Sequence, residues 1–255
     1  MVYVGREMLL QNKGFCPSSQ TASSRQKQAK SMSLIDVGAG PGFITGELLD
    51  TLPSSSVTAL EIDPVMIERA EKYLATRNAS RAKIVKGSVM NLDLPDNSFD
   101  FAIARYLFQH LPDPVGAASE LRRILKPGGK LVVVDIDDDE HLWEPEDPPE
   151  IKVMNERFRE EHKAKGGDRF VGRKLLRILK KAGFRNCTIE AIVLHSDEVG
   201  WDFLAPQITP EAYKAELEEG KITQREFELL LETDEKMHGP DGLMLLLIFM
   251  ACGEK

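Results

Sequence analysis

The stretch LIDVGAGPGFIT, Leu34 to Thr45, sets three glycines at alternate positions directly behind an apolar run. A glycine-rich turn between a strand and a helix holds a dinucleotide, a phosphate or another ligand that needs close backbone approach, and the glycine spacing separates these cases. Counted from Gly38 and Gly40, a dinucleotide fingerprint needs its third glycine at position 43. That position is Phe43, and the glycine falls one residue early, at Gly42. A triphosphate loop ends in Gly-Lys-Ser/Thr, whereas Gly42-Phe43-Ile44-Thr45 has no lysine. What remains is an acid, Asp36, followed by G-x-G-x-G, in which turn amides and nearby carboxylates can meet the charged ends of a ligand. A purely structural turn stays open as the alternative.

Outward from this turn, short apolar runs alternate with amphipathic stretches, the pattern of strands joined by crossover helices in a parallel sheet. Strands are expected at SLIDV, VTALEI, AKIVKG, FDFAIAR and GKLVVVDID. Helices are expected from Gly42 to Leu52, from Asp63 as N-cap with Pro64 at the first position, and over DPVGAASELRRILK up to Pro127-Gly128-Gly129. Beyond Asp135 an acidic, proline-rich segment precedes a helical stretch to Lys165, the helix GRKLLRILKKAGF and a sixth strand, NCTIEAIVLH. Residues 196–240 read as helical, and 243–251 as a last strand. The 255 residues suit one α/β domain over 32–255, with helical caps at about 140–170 and 196–240 and an N-terminal arm, 1–31, expected to be disordered.

Composition narrows the function. With 33 Lys+Arg against 41 Asp+Glu, a formal charge of −8, no basic tract is available to neutralise phosphates, so nucleic acid is excluded as substrate. Cys16, Cys187 and Cys252 form no C-x-x-C pair, which argues against a disulfide framework or cysteine-based zinc site and for a reducing, cytoplasmic setting. The longest apolar run, GLMLLLIFMAC, is about half of the ~20 residues that cross a bilayer, so no membrane span is expected. Residues 13–31 contain no acid and are rich in Ser, Lys, Arg and Gln, which leaves a transit peptide open beside a disordered arm.

Glu61 ends the second expected strand, 21 residues after Gly40, where an α/β nucleotide site keeps a carboxylate for two ribose hydroxyls. Such an acid suits an adenosine-bearing ligand; a solvated acid at a strand end is the plainer reading. Ile62 and Met66 offer apolar cover for adenine, or core packing.

The motif Asp36-Val37-Gly38-Ala39-Gly40-Pro41-Gly42 and the long stretch ARYLFQHLPDPVGAASELRRILKPGGKLVVVDID resemble class I S-adenosylmethionine-dependent methyltransferases, in particular the ubiquinone/menaquinone-biosynthesis type and its small-molecule relatives. The resemblance implies a Rossmann-like, doubly wound, mostly parallel α/β sheet of seven strands, the last antiparallel, with helical lid insertions. It implies S-adenosyl-L-methionine as cofactor, with Asp36, Gly38, Ala39, Gly40 and Gly42 at its methionyl part and Arg105 and Tyr106 beside that group. Ser88 stands where the family usually reads the adenine amino group with Asp; the Val89 amide would supply a second contact, and Asp93 is either a substitute or a loop carboxylate.

Gln109 and His110 follow on the substrate side. His110 is a candidate general base for the acceptor or a loop cap. Asp168 and Arg173, in KGGDRFVGRKL, shape the substrate cleft or form a turn. The carboxylates at Asp135, Asp137, Asp138 and Asp139 admit a hard cation or a solvated loop, and since the resemblance is to metal-independent members no metal is expected. Trp143, Phe158, Trp201, Phe203 and Tyr213 line an acceptor pocket or are core. The implied activity is direct displacement of a methyl group onto a small-molecule O, N, S or C atom with release of S-adenosylhomocysteine. A catalytically silent binding module is the alternative, and an NAD-dependent oxidoreductase is disfavoured by Phe43.

Overall fold

The computed structural model describes residues 31–77, 79–204 and 209–255; apart from Ser31 the expected N-terminal arm lies outside them. Strands β1 (Ser33–Val37), β2 (Ser56–Glu61), β3 (Ala82–Lys86), β4 (Phe99–Arg105), β5 (Leu125–Asp135), β6 (His141–Glu144), β7 (Arg185–His195) and β8 (Leu243–Glu254) form one sheet. Its order is β3-β2-β1-β4-β5-β8-β6, with β7 on the other edge of β8. β1 to β5 pair in parallel, and β8 is antiparallel to β5, β6 and β7.

Alternation along the strands explains why both faces are buried. On β4 and β5, Ala102, Ala104, Leu131 and Val133 point to one face, and Phe101, Ile103, Val132 and Val134 to the other. The first face is covered by α3 (Pro114–Ile124) and α5 (Leu175–Lys181), through Ala117, Leu121, Leu175 and Leu179. The second is covered by α1 (Phe43–Thr51) and α2 (Pro64–Ala75), through Ile44, Leu48 and Leu74. Asp63 caps α2, its side chain accepting from the Val65 N–H at 2.7 Å, and Pro64 occupies the first helical position as expected.

A third, separate cluster holds the cap. Ile151 and Met154 on α4 (Pro149–Ala164) pack with Ile222 and with Leu229 and Leu230 on α9 (Gln224–Met237). Three short helices, α6 (Ser196–Val199), α7 (Trp201–Leu204) and α8 (Lys214–Glu218), lie between β7 and α9. No helix among the described residues is long and apolar enough to cross a membrane.

Two expectations are corrected. The sheet has an eighth strand: β6 continues along the edge of β8 that β5 leaves, since β5 pairs residues 249–254 of β8 and β6 pairs 243–246. The third helix ends at Ile124 rather than Lys126, because Leu125 is already extended (φ −71°, ψ 144°) and Pro127 disfavours helix in the residue before it. The Lys126–Gly129 segment bulges out, with Leu125 opposite Phe99 and Lys130 opposite Phe101.

Candidate functional site

The glycine-rich turn sits where β1 gives way to α1, at the carboxyl ends of the central strands, the usual ligand side of an open parallel sheet. Gly38, Gly40 and Gly42 all have positive φ (69°, 54° and 82°), which is why glycine alternates here. The turn is fastened to β2: the Gly38 and Ala39 N–H groups donate to the Leu60 carbonyl (2.9 and 3.0 Å), and the Gly40 N–H to Glu61 Oε2 (2.7 Å). These three amides are therefore engaged within the protein. What the turn presents is a side-chain-free surface: a Cβ on Gly40 would meet nothing within 4 Å, whereas one on Gly42 would meet Ala70 Cβ at 3.2 Å.

Glu61 is held from three sides. Besides Gly40, the N–H groups of Ile62 (2.7 Å) and Asp63 (3.0 Å) donate to its Oε1. A carboxylate offers about four lone-pair directions, so acceptor capacity remains on a side chain whose orientation is fixed. Next to it, Ile62 is 60% exposed and Met66 half-buried, forming a ledge with Val65 on the first turn of α2. Asp36 is fully buried and accepts from the Thr45 hydroxyl at 2.6 Å. Burial pushes its carboxyl up to about 6, and the Thr45 hydrogen bond and the Arg105 charge work against that rise.

After β3 the chain turns sharply at Ser88, whose hydroxyl accepts from the Met90 N–H at 3.2 Å; Val89 is buried beneath it. Accepting that bond leaves the Ser88 hydroxyl proton free to donate. At the end of β4 the Arg105 guanidinium lies over the Tyr106 ring, 4.9 Å from its centroid. Tyr106 has a positive φ of 53°, a strained conformation held by its N–H bond to the Val134 carbonyl at 2.8 Å. Burial raises the Tyr106 phenol above its ordinary range. Leu107, which sequence reasoning passed over, packs against the turn: a Cβ on Gly38 would come within 3.1 Å of Leu107 Cδ1.

Gln109, 4% exposed, is a hub. Its N–H donates to Asp135 Oδ2 (3.2 Å), its carbonyl accepts from the Asp168 N–H (2.7 Å) and from His162 Nε2 (2.7 Å), and its Oε1 accepts from Arg169 (2.7 Å). Because a carbonyl only accepts, His162 carries its proton on Nε2. His110 packs edge-on to His162 with ring centroids 5.0 Å apart, and burial, then the His162 and Arg169 charges, lower its pKa. Asp135 is fully buried; burial raises it to about 6 against bonds from the backbone N–H groups of Ile136, Gln109 and Phe108.

The acidic run is tied down by arginines rather than left as open carboxylates. Asp137 and Asp139 pair with Arg173, and Asp138 with Arg169 at 2.8 Å. Asp168 pairs with Lys174 and accepts from the Phe170 N–H at 3.0 Å. Arg173 and Asp168 thus brace the loop leading to α5: Arg173 ties it to the segment after β5, and the Asp168 N–H ties it to the Gln109 carbonyl.

Above this hub lies a cavity of about 690 Å³ between α4, α8 and α9. Four of the five aromatic residues singled out from the sequence, Trp143, Phe158, Trp201 and Tyr213, line it together with His162 and Arg169; the Phe203 side chain lies outside the described residues. Sequence reasoning missed Asp147 and Glu216 in its wall and His162 and Arg169 at its floor. Glu216 and His162 lie on helices, Asp147 and Arg169 in loops, and no motif marks any of them.

Comparison with known proteins agrees with this geometry. A family model described as a methyltransferase domain matches residues 35–133. Malonyl-[acyl-carrier protein] O-methyltransferase of Paenibacillus sp. (strain JDR-2) is 34% identical over 112 residues, 43% of this chain and 40% of that protein. Demethylmenaquinone methyltransferase of Geobacillus sp. (strain WCH70) is 30% identical over 112 residues, 44% of this chain and 48% of that protein. The chain spans less than half the length of these curated relatives. Haemonchus contortus phosphoethanolamine N-methyltransferase 2, solved in complex with S-adenosyl-L-methionine, shares the fold, with a TM-score of 0.59 at 17% identity over 90% of this chain and 50% of that one. Over residues 35–133 the chain is thus similar to methyltransferase domains, and both of these curated relatives are methyltransferases.

Proposed function

We propose that this chain is an S-adenosylmethionine-dependent methyltransferase that acts on a small molecule. The observation that carries the reading is the fixed pair at the ends of β1 and β2: a glycine turn open above Gly40, bonded at 2.7 Å to a carboxylate, Glu61, that keeps acceptor capacity. That donor set fits a ligand with a ribose diol at one end and a compact charged group at the other. When bound, the cofactor supplies a methyl group on a sulfonium, already activated for displacement.

In this reading Glu61 accepts from a ribose hydroxyl in its remaining lone-pair direction, and Ile62 and Met66 cover the adenine. The Ser88 hydroxyl and the Val89 amide meet the base edge. Gly38, Ala39, Gly40 and Gly42 form the surface on which the methionyl part lies, with Asp36, Arg105 and Tyr106 around it. Gln109 positions the acceptor side, and His110, held neutral at pH 7 by its lowered pKa, is the group that can take an acceptor proton. Asp168 and Arg173 hold the cleft wall. Alignment of acceptor, methyl carbon and sulfur then supplies much of the rate, and the cap over the cavity excludes water.

Calorimetry of cofactor-stripped protein tests this first. S-adenosylmethionine is expected to bind, and Glu61→Ala to weaken it about ten- to a hundredfold, as removal of hydrogen bonds to a charged acceptor does. No binding by the wild type would end the reading. Tight binding without release of S-adenosylhomocysteine over a broad acceptor panel would support a silent binding module instead.

A further inference from the structure

Among the described residues five acids and five lysines or arginines line the cavity under the cap, and they are unevenly paired. Its cations are engaged: Lys152 pairs with Glu146 at 2.7 Å, Arg159 with Glu156 at 2.6 Å, Arg169 with Asp138 at 2.8 Å and Lys221 with Glu219 at 2.6 Å, while Lys165 stands exposed at the rim. Among the described residues two half-buried acids of the wall, Asp147 and Glu216, form no ion pair. Asp147, partly buried, accepts a hydrogen bond from the Trp143 side chain, a neutral donor, with Lys152 acting on it at a distance. Glu216 has one oxygen, Oε2, buried without a hydrogen-bond partner among the described residues. Both act on the Tyr213 phenol, which burial and then Asp147, Glu216 and Asp138 raise above its ordinary range, Arg169 opposing them. The Tyr213 and Phe158 rings lie 6.1 Å apart and tilted by 40°, so aromatic surface and two carboxylates without an ion pair among the described residues share one wall.

Buried or half-buried carboxylates without counter-charge are costly unless a cation completes them, and aromatic faces attract a cation most strongly where water is excluded. We propose that this cavity accepts a cationic amine, its ammonium carried against Trp143, Phe158 and Tyr213 and balanced by Asp147 and Glu216. The inference rests on the methyl-transfer reading above and names its acceptor atom. An ammonium acceptor loses one proton to His110. Its nitrogen lone pair then forms the N–C bond while the C–S bond breaks, sulfur keeps the bonding pair, and the positive charge returns to the methylated nitrogen. The ammonium and the sulfonium, two cations, must approach each other for this step, and the acids in the cavity wall offset their repulsion.

The chain's two tryptophans, Trp143 and Trp201, both line the cavity, so intrinsic fluorescence reads its occupation without any turnover. Choline and its neutral carbon isostere 3,3-dimethylbutan-1-ol are the probes, titrated into wild-type protein without cofactor. Choline is expected to give a saturable change at a concentration at least tenfold below the alcohol, and Asp147→Asn or Glu216→Gln to weaken choline about fivefold while leaving the alcohol unchanged. Equal affinity for the two probes, or no saturation by choline, overturns the proposal without reference to any variant. In a parallel assay of S-adenosylhomocysteine release, primary and secondary amines are expected to be turned over, and matched alcohols, phenols and acids not. Turnover confined to the amine-free acceptors defeats the amine assignment alone; absence of S-adenosylmethionine binding defeats the methyl-transfer reading alone.

Discussion

Gly40 and Gly42 stand two residues apart with the same sign of φ, yet they answer to different constraints. An alanine at either position takes on the left-handed backbone, about 1–2 kcal/mol. At Gly40 its methyl group would face open space, and at Gly42 it would press on Ala70 Cβ at 3.2 Å. Gly42→Ala is therefore expected to lower the urea midpoint more than Gly40→Ala, by a further ~1 kcal/mol or so, while Gly40→Ala is expected to act chiefly on cofactor affinity. Equal losses of stability would contradict the packing of α1 on α2. The alternation of glycines is legible in the sequence because only glycine takes these φ values cheaply. The destination of the turn's amides is not: the sequence suggests that they face a ligand, but Leu60 and Glu61, brought alongside only when β2 pairs with β1, engage them first.

At the scale of elements, α4 and α9 pack on each other through a cluster separate from the two faces of the sheet. Met154 is fully buried in it. Met154→Ala is expected to cost about 2–5 kcal/mol within the cap and to accelerate amide exchange across α4 and α9 while β1 to β5 stay protected. S-adenosylmethionine binding should survive within a fewfold. Simultaneous loss of protection in the central strands would show that cap and sheet unfold as one unit. The helices of the cap are visible from periodicity and from Thr223, whose hydroxyl accepts from the Glu226 N–H (3.1 Å) while the Glu226 carboxylate accepts from the Thr223 N–H (2.6 Å). Strand β6 is not visible: His141 to Glu144 is a four-residue run inside an acidic, proline-rich segment, and its pairing depends on an edge of β8 a hundred residues later. The charge pairs of the acidic run are hidden for the same reason, since Arg169 and Arg173 reach Asp137, Asp138 and Asp139 only after β5 and the loop before α5 are in place.

For the whole molecule, three carboxyls, Asp36, Asp135 and Asp147, are pushed up to about 6, each chiefly by burial. An acid whose folded pKa lies above its unfolded value binds more protons in the native state, so its contribution to stability falls as pH rises from about 4 to about 6 and is level above that. Asp36→Asn, which keeps an acceptor for Thr45, is expected to make the fall of Tm over that interval shallower and to raise Tm at pH 7. An unchanged slope would mean that Asp36 ionises as an ordinary surface acid. The overall architecture, parallel strands wound with helices and a last antiparallel strand, follows from apolar rhythm together with the family resemblance. The third dimension of the acceptor side does not, because its polar residues come from four separate segments with no shared period. One consequence of β8 concerns motion. Since β5 and β6 lie end to end along the same edge of that strand, the base of the cap is laced to the sheet by four residue pairs, Leu243–Leu246 against His141–Glu144. Any opening of the cavity is then expected to hinge beyond Glu144, leaving Trp143 with the sheet while α4, α8 and α9 move.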